Sequence, residues 1–309
     1  MRIMFTFDSN KINSLLAEEA ILMIGLFPFK MNEAGPIGVF DSGYGGLTVL
    51  KGLVKSLPKY DFLYLGDNAR APYGPRSFER IYEFTLQGVK HLFNQGCSIV
   101  ILACNTASAE ALKTIQQKDL HHLGANKKVL GVLRPTTESV FDYTQTKEIG
   151  ILGTSGTIRS KSYLIEIKRF FPQILVHQQA CPMWVPLVEN AELSSVGAVY
   201  FVKKYIESLL QKGPNIDAIF LACTHYPLLY NLIRRSLPNH INVYGQADLV
   251  GPKLATYLSR HSGIDIKCLK NSKVRFMTTD DPENFERQAK LFYGKPLHAQ
   301  KVNLGIQSA

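Results

Sequence analysis

Apolar residues along this chain fall into two alternating patterns. Short unbroken runs at Ile37-Gly-Val-Phe40, Phe62-Leu-Tyr-Leu65 and Ser98-Ile-Val-Ile-Leu-Ala103 read as strands buried on both faces. Between them, Leu47 to Leu57 carries apolar residues at helical spacing and is closed by Pro58, and Phe78 to Gln95 does the same with a stop at Gly96. A further helix is expected over Thr106 to Gln117, while GDNARAPYGPRS (66–77) is a loop by composition. Strands that alternate with helices imply parallel sheets joined by right-handed crossovers, so the fold class is α/β.

The same grammar then returns. Ile149-Gly-Ile-Leu152 followed by GTSGT (153–157) echoes Ile37-Gly-Val-Phe40 followed by DSGYGG (41–46). Ala218-Ile-Phe-Leu-Ala-Cys-Thr-His225 likewise echoes Ile99-Val-Ile-Leu-Ala-Cys-Asn-Thr106. An internal duplication accounts for both echoes: two similar open parallel-sheet domains related by pseudo-symmetry. Ligands of such sheets bind beyond the carboxyl ends of the strands, and both echoed segments end a strand on a cysteine. Domains that face each other bring Cys104 and Cys223 to one ligand from opposite sides, with the active site in the cleft between them.

Length and composition narrow the picture further. A chain of 309 residues is longer than one hydrophobic core usually organises, and 46% apolar with 19% charged residues is ordinary for a folded soluble protein. No apolar run reaches the roughly 20 residues needed to cross a bilayer. A net charge of +10 raises nucleic acid as a partner, but the densest groupings, Lys168-Arg169, Lys203-Lys204 and Lys270 to Arg275, are short and have no interleaved aromatics. A solvated basic surface, attractive to a small anionic substrate, is the preferred reading. Five cysteines with wide spacings and no CxxC pair imply free thiols in a reducing compartment. The first 35 residues stand apart: the apolar run 20–29 follows Glu18-Glu19 and has no cleavage site after it, so it reads as an extension rather than a signal peptide.

Chemistry concentrates at the strand ends. Cys104 is followed by Asn105-Thr106-Ala-Ser108 and Cys223 by Thr224-His225-Tyr226. Hydroxyls, an amide and backbone N–H groups at a strand-to-helix turn suit an anionic ligand, and the same turn is expected to lower a thiol's pKa. Asp41-Ser42 occupies the neighbouring junction, where Gly43, Gly45 and Gly46 permit close backbone approach. His225 is spaced to polarise Cys223 or to bind substrate. Glu189 ends the stretch Met183-Trp-Val-Pro-Leu-Val-Glu189, and Pro72-Tyr73-Gly74 is a turn that covers a site or simply packs. Cys223 and His225, even with Cys104, do not supply the ligand set that zinc needs. No P-loop occurs, DSGYGG does not fit GxGxxG, and no Schiff-base lysine stands out, so no cofactor is indicated.

The motifs FDSGYGG (40–46), GDNARAPYG (66–74), ACNTAS (103–108), PLVE (186–189), ACTHYPLL (222–229) and TTDDPENF (278–285) resemble those of the glutamate racemases, within the wider aspartate/glutamate racemase superfamily. The resemblance implies a cofactor-independent interconversion of L- and D-glutamate, with Cys104 taking the α-proton from D-glutamate and Cys223 from L-glutamate. It implies that Asp41 and His225 assist the respective thiols, that Glu189 belongs to the site, and that Asp41, Ser42, Pro72, Tyr73, Gly74, Cys104, Asn105, Thr106, Thr137, Cys223, Thr224 and His225 bind substrate. It further implies D-glutamate supply for peptidoglycan; the expected protein is a cytoplasmic homodimer with glutamate as its partner, without a membrane partner, and its dispersed charge disfavours nucleic acid. Domain boundaries carried over in the same way give an extension over 1–35, a first domain of 36–133 plus 245–309, and a second of 134–244. Arg134, Tyr44 and Asn68 depart from the family pattern. Two rival readings stand: racemisation of another acidic amino acid such as aspartate, and a binding protein that kept the fold.

Overall fold

The computed structural model describes residues 34–305. Residues 1–33 of the expected extension lie outside the described residues. Chain order then runs through β1 (Ile37–Asp41), β2 (Phe62–Gly66), β3 (Ile99–Leu102), β4 (Lys128–Gly131), β5 (Glu148–Gly153), β6 (Leu175–Ala180), β7 (Ala218–Ala222), β8 (Asn242–Tyr244), β9 (Val274–Thr278) and β10 (Ala299–Lys301). These build two wholly parallel sheets, one in the order β10-β9-β2-β1-β3-β4 and one in the order β6-β5-β7-β8. The central strands β1, β2, β5 and β7 are buried along their whole length, as continuous apolar runs require when helices cover both faces.

Pseudo-symmetry reaches the level of register. Four strands of the first sheet, β2-β1-β3-β4, repeat the order β6-β5-β7-β8 of the second. Gly38, Val39 and Phe40 of β1 stand opposite Val100, Ile101 and Leu102 of β3. Their counterparts Gly150, Ile151 and Leu152 of β5 stand opposite Ile219, Phe220 and Leu221 of β7. The echoed sequence runs are therefore two copies of one pairing. In each copy the strand order reverses between the first and third strands, the switch point at which parallel sheets open a crevice at their carboxyl ends.

Close packing joins the two lobes. One buried apolar cluster runs from Ile37 and Val39 of β1 to Ile219 and Leu221 of β7. The helix Gln246–Arg260 leaves β8 and crosses to the helix Gly46–Ser56, where a Cβ on Gly52 would stand 2.1 Å from the Ala247 carbonyl oxygen. Gly35 joins the first lobe to the later chain: its N–H donates to Lys267 O and its carbonyl accepts from Leu269 N, both at 2.9 Å.

Candidate active site

Each lobe brings its thiol to the crevice by the same route: an apolar strand ends and the next residue turns. Cys104 follows β3 and caps the helix Asn105–Glu110, its sulfur accepting from Ala107 N at 3.5 Å. Cys223 follows β7 and is 6% exposed, as is Cys104. Both line one cavity of about 30 Å³. Ser42, Pro72, Tyr73, Gly74, Asn105, Thr106, Thr224, His225 and Glu189 line it with them, joined by Thr154 and Val185.

The surroundings of the two thiols differ. Cys104 donates to Ser42 Oγ at 3.5 Å. Burial, then the nearby Asp41 charge, pushes the Cys104 thiol up to about 12, against the opposing pull of Ser42 and Ala107 N–H. The expected lowering by the helix turn is thus outweighed at Cys104: loss of water around the charged form costs more than two weak sulfur hydrogen bonds return. Cys223 instead faces a histidine. His225 Nδ1 lies 4.0 Å from Cys223 Sγ, and its Nε2 meets Glu189 Oε1 at 2.9 Å. Burial alone would pull the imidazole down, but its bonds to Cys223 and Glu189 raise it to about 10, so it holds its proton at neutral pH.

Supporting contacts fix the loops. Asp41 is fully buried behind Ser42, with Oδ1 accepting from Gly43 N at 2.9 Å; burial raises its pKa. Gly45 lies against the other lobe, where a Cβ would stand 2.2 Å from Thr224 Oγ1 and 2.4 Å from His225 Nδ1. Thr48 Oγ1 donates across the lobes to Thr224 O at 3.0 Å. Tyr73 donates to Asp67, which also holds the Arg70 guanidinium at 2.8 Å. This network seats the Pro72-Tyr73-Gly74 turn over the cavity.

Thr137 is not brought to the cavity: its hydroxyl donates to Arg134 O at 3.0 Å. Arg134, one of the departures from the family pattern, pairs with Glu138 at 2.8 Å on the surface. Tyr44 stacks on Phe285 and Phe292 with ring centroids 5.5 and 5.9 Å apart, and Asn68 accepts from Thr278 Oγ1 at 3.1 Å. None of these three substitutions touches a thiol. Thr154 escaped the sequence reading, although it stands in the GTSGT echo where Ser42 stands in DSGYGG. The remaining cysteines, Cys97, Cys181 and Cys268, are free, buried and raised in pKa by that burial. Among the described residues no helix is long and apolar enough to cross a membrane.

Comparison with known proteins places the chain. The family model for Asp/Glu/hydantoin racemases matches residues 37–247. A glutamate racemase of Jannaschia sp. is 35% identical over 276 residues, covering 86% of this chain and 99% of the relative. The crystal structure of a glutamate racemase isoform from Bacillus anthracis superposes with a TM-score of 0.79 at 33% identity, covering 87% of this chain and 98% of that one. The glutamate racemase of Francisella tularensis, solved with D-glutamate, gives a TM-score of 0.77 at 31% identity over 88% of this chain and 98% of that one. The chain belongs to the Asp/Glu/hydantoin racemase family and, within it, to the glutamate racemases, amino-acid isomerases of the cofactor-independent class.

Proposed function

We propose that this chain interconverts L- and D-glutamate by a two-base proton transfer between Cys104 and Cys223. The observation that carries the reading is the shared cavity: two thiols from equivalent strand ends, in unequal protonation environments, face one small polar space. A thiolate at Cys223 takes the α-proton of L-glutamate as its C–H bond breaks. The thiol of Cys104 then gives its proton to the opposite face of Cα, and the two sulfurs end with exchanged protonation states. The D enantiomer reverses the path. His225, held by Glu189, supports the charge on Cys223, while Ser42 supports Cys104 and buried Asp41 lies behind it. Hydroxyl and amide donors of Ser42, Asn105, Thr106, Thr154 and Thr224 are suited to bind the substrate carboxylates and to stabilise charge developing on the α-carboxylate. The reading includes a cytoplasmic homodimer that supplies D-glutamate for peptidoglycan.

Optical rotation of L- and D-glutamate with purified protein and no added cofactor tests this directly. Both enantiomers should reach the same equimolar mixture, and Cys104→Ser or Cys223→Ser should each slow the reaction by roughly 10³-fold, within the range for losing a general acid or base. Aspartate, one methylene shorter, should turn over with a kcat/KM lower by roughly 10–200-fold. Equal activity on aspartate would favour the broader acidic-amino-acid reading. Full activity in either serine variant would refute the paired thiols.

A further inference from the structure

Behind the cavity, Asn105 is held by a buried polar network whose other members the reaction scheme does not use. Gln246, 3% exposed, stands where the chain crosses from β8 to the helix Gln246–Arg260. Its Oε1 accepts from Asn105 Nδ2 at 2.5 Å, and its Nε2 donates to Asn105 Oδ1 at 2.9 Å, so the two amides form a cyclic pair. Tyr163, fully buried in the second lobe, donates to Asn105 Oδ1 at 2.7 Å and accepts from Gln246 Nε2 at 2.9 Å.

The orientation of both amides follows from which neighbours cannot donate. Gln246 Nε2 also points at Val132 O, 3.4 Å away, and at Thr136 Oγ1, 3.3 Å away. A carbonyl only accepts, and the Thr136 hydroxyl hydrogen is already spent on Val132 O at 2.9 Å. The two hydrogens of Gln246 Nε2 go to Asn105 Oδ1 and the Tyr163 hydroxyl. An oxygen turned into its place would instead face the Val132 carbonyl, so the NH2 end of Gln246 stays where it is and the cyclic pair turns the Asn105 amide to match. Asn105 Oδ1 is consumed by two donors from behind, and among the described residues Nδ2 gives one hydrogen to Gln246 Oε1, which leaves its second N–H for the cavity. Asn105 lines the cavity and follows Cys104 directly.

We infer that Gln246 and Tyr163 are positioning residues that lock the Asn105 amide so that it offers the cavity an N–H donor and never its carbonyl oxygen. This rests on the proposed glutamate racemisation at the same site, because an anionic substrate is what such a donor would serve. A free Asn amide flips at little cost and would half the time turn an acceptor towards a carboxylate. The lock removes that state, and it joins Asn105 of the first lobe to Tyr163 of the second.

Tyr163→Phe, which deletes one oxygen, should lower kcat/KM for glutamate roughly five-fold, the worth of one hydrogen bond. Gln246→Glu cannot donate to Asn105 Oδ1 and should cost more, chiefly through KM. The deciding measurement repeats both substitutions in an Asn105→Ala background, where neither should reduce kcat/KM further. If the same losses appear there, the residues act through general structure and the inference fails. The amide itself is read without turnover, from the Asn105 side-chain NH2 signals in ¹H–¹⁵N spectra of the free protein. One hydrogen should be protected from exchange and the other not, and Tyr163→Phe should shift the pair. Two equally exposed hydrogens would overturn the lock whether or not the protein racemises glutamate, whereas loss of turnover alone with the lock intact would count only against the substrate reading.

Discussion

His225 is the residue on which the chemical asymmetry of the site turns. Its folded pKa, raised to about 10, lies above the ordinary histidine value of 6.5. Its stabilising contribution is therefore fully present below pH 6.5 and is lost as pH rises through about 10. In the proposed reaction Cys223 delivers a proton when D-glutamate is the substrate, and the His225 imidazolium, with Nδ1 4.0 Å from its sulfur, is the neighbouring proton source. We expect kcat/KM to fall as pH rises through about 10. The two enantiomers have equal free energy, so both directions must show the same limb. His225→Gln should remove that limb and lower kcat/KM at pH 7 by roughly 10²-fold, the lower end of general acid–base assistance. A pH–rate profile unchanged by the substitution would mean that His225 only packs. At this scale the sequence was most legible where one strand end echoed another, since Cys104 and Cys223 identify each other. Thr154 was open to the same argument and was missed because GTSGT carries no residue with obvious chemistry. Thr137 lay in a stretch altered by Arg134, where family position is a weak guide to side-chain direction.

Elements were legible to the extent that burial is uniform along them. The expected runs 37–40, 62–65 and 98–103 appear as β1 (Ile37–Asp41), β2 (Phe62–Gly66) and β3 (Ile99–Leu102), because a strand covered on both faces must be apolar throughout. β6 reads Leu-Val-His-Gln-Gln-Ala and β10 reads Ala-Gln-Lys; each lies at a sheet edge, partly exposed, with no periodic signal to detect. The helix expected over Thr106 to Gln117 is divided into Asn105–Glu110, Leu112–Thr114 and a wider π turn at Ile115–Asp119. Composition does not mark that change of winding. The contact between the helices Gly46–Ser56 and Gln246–Arg260 was equally silent, since it depends on glycines from distant parts of the chain. A Cβ on Gly251 would stand 2.2 Å from Ser56 Oγ, next to the Gly52 approach to Ala247. Gly52→Ala gains about 1 kcal/mol of helix propensity but drives a methyl into backbone that cannot yield. Forced overpacking of this kind costs about 1–3 kcal/mol, so a net loss is expected, read as a lower urea midpoint with unchanged slope. An unchanged or higher midpoint would show that the two helices can separate freely.

The two sheets share one four-strand order, and the thiols that follow their equivalent strands meet at a space of about 30 Å³. Burial around Cys104 is what holds its thiol protonated, while His225 stands beside Cys223 with Nδ1 4.0 Å from the sulfur. A net charge of +10 favours arrival of an anionic substrate at low ionic strength. In the proposed reaction, duplication supplies two similar thiols at equivalent strand ends, and their neighbours differ: burial and Asp41 raise Cys104, while Cys223 faces His225. The opposition of Cys104 and Cys223 is the central claim, and isotope incorporation reads it most directly. In D2O, early in turnover and starting from either enantiomer, the product of opposite configuration should carry deuterium at Cα while the remaining substrate stays protiated. Deuterium entering substrate and product at comparable rates would mean that one base serves both faces, and would contradict the account.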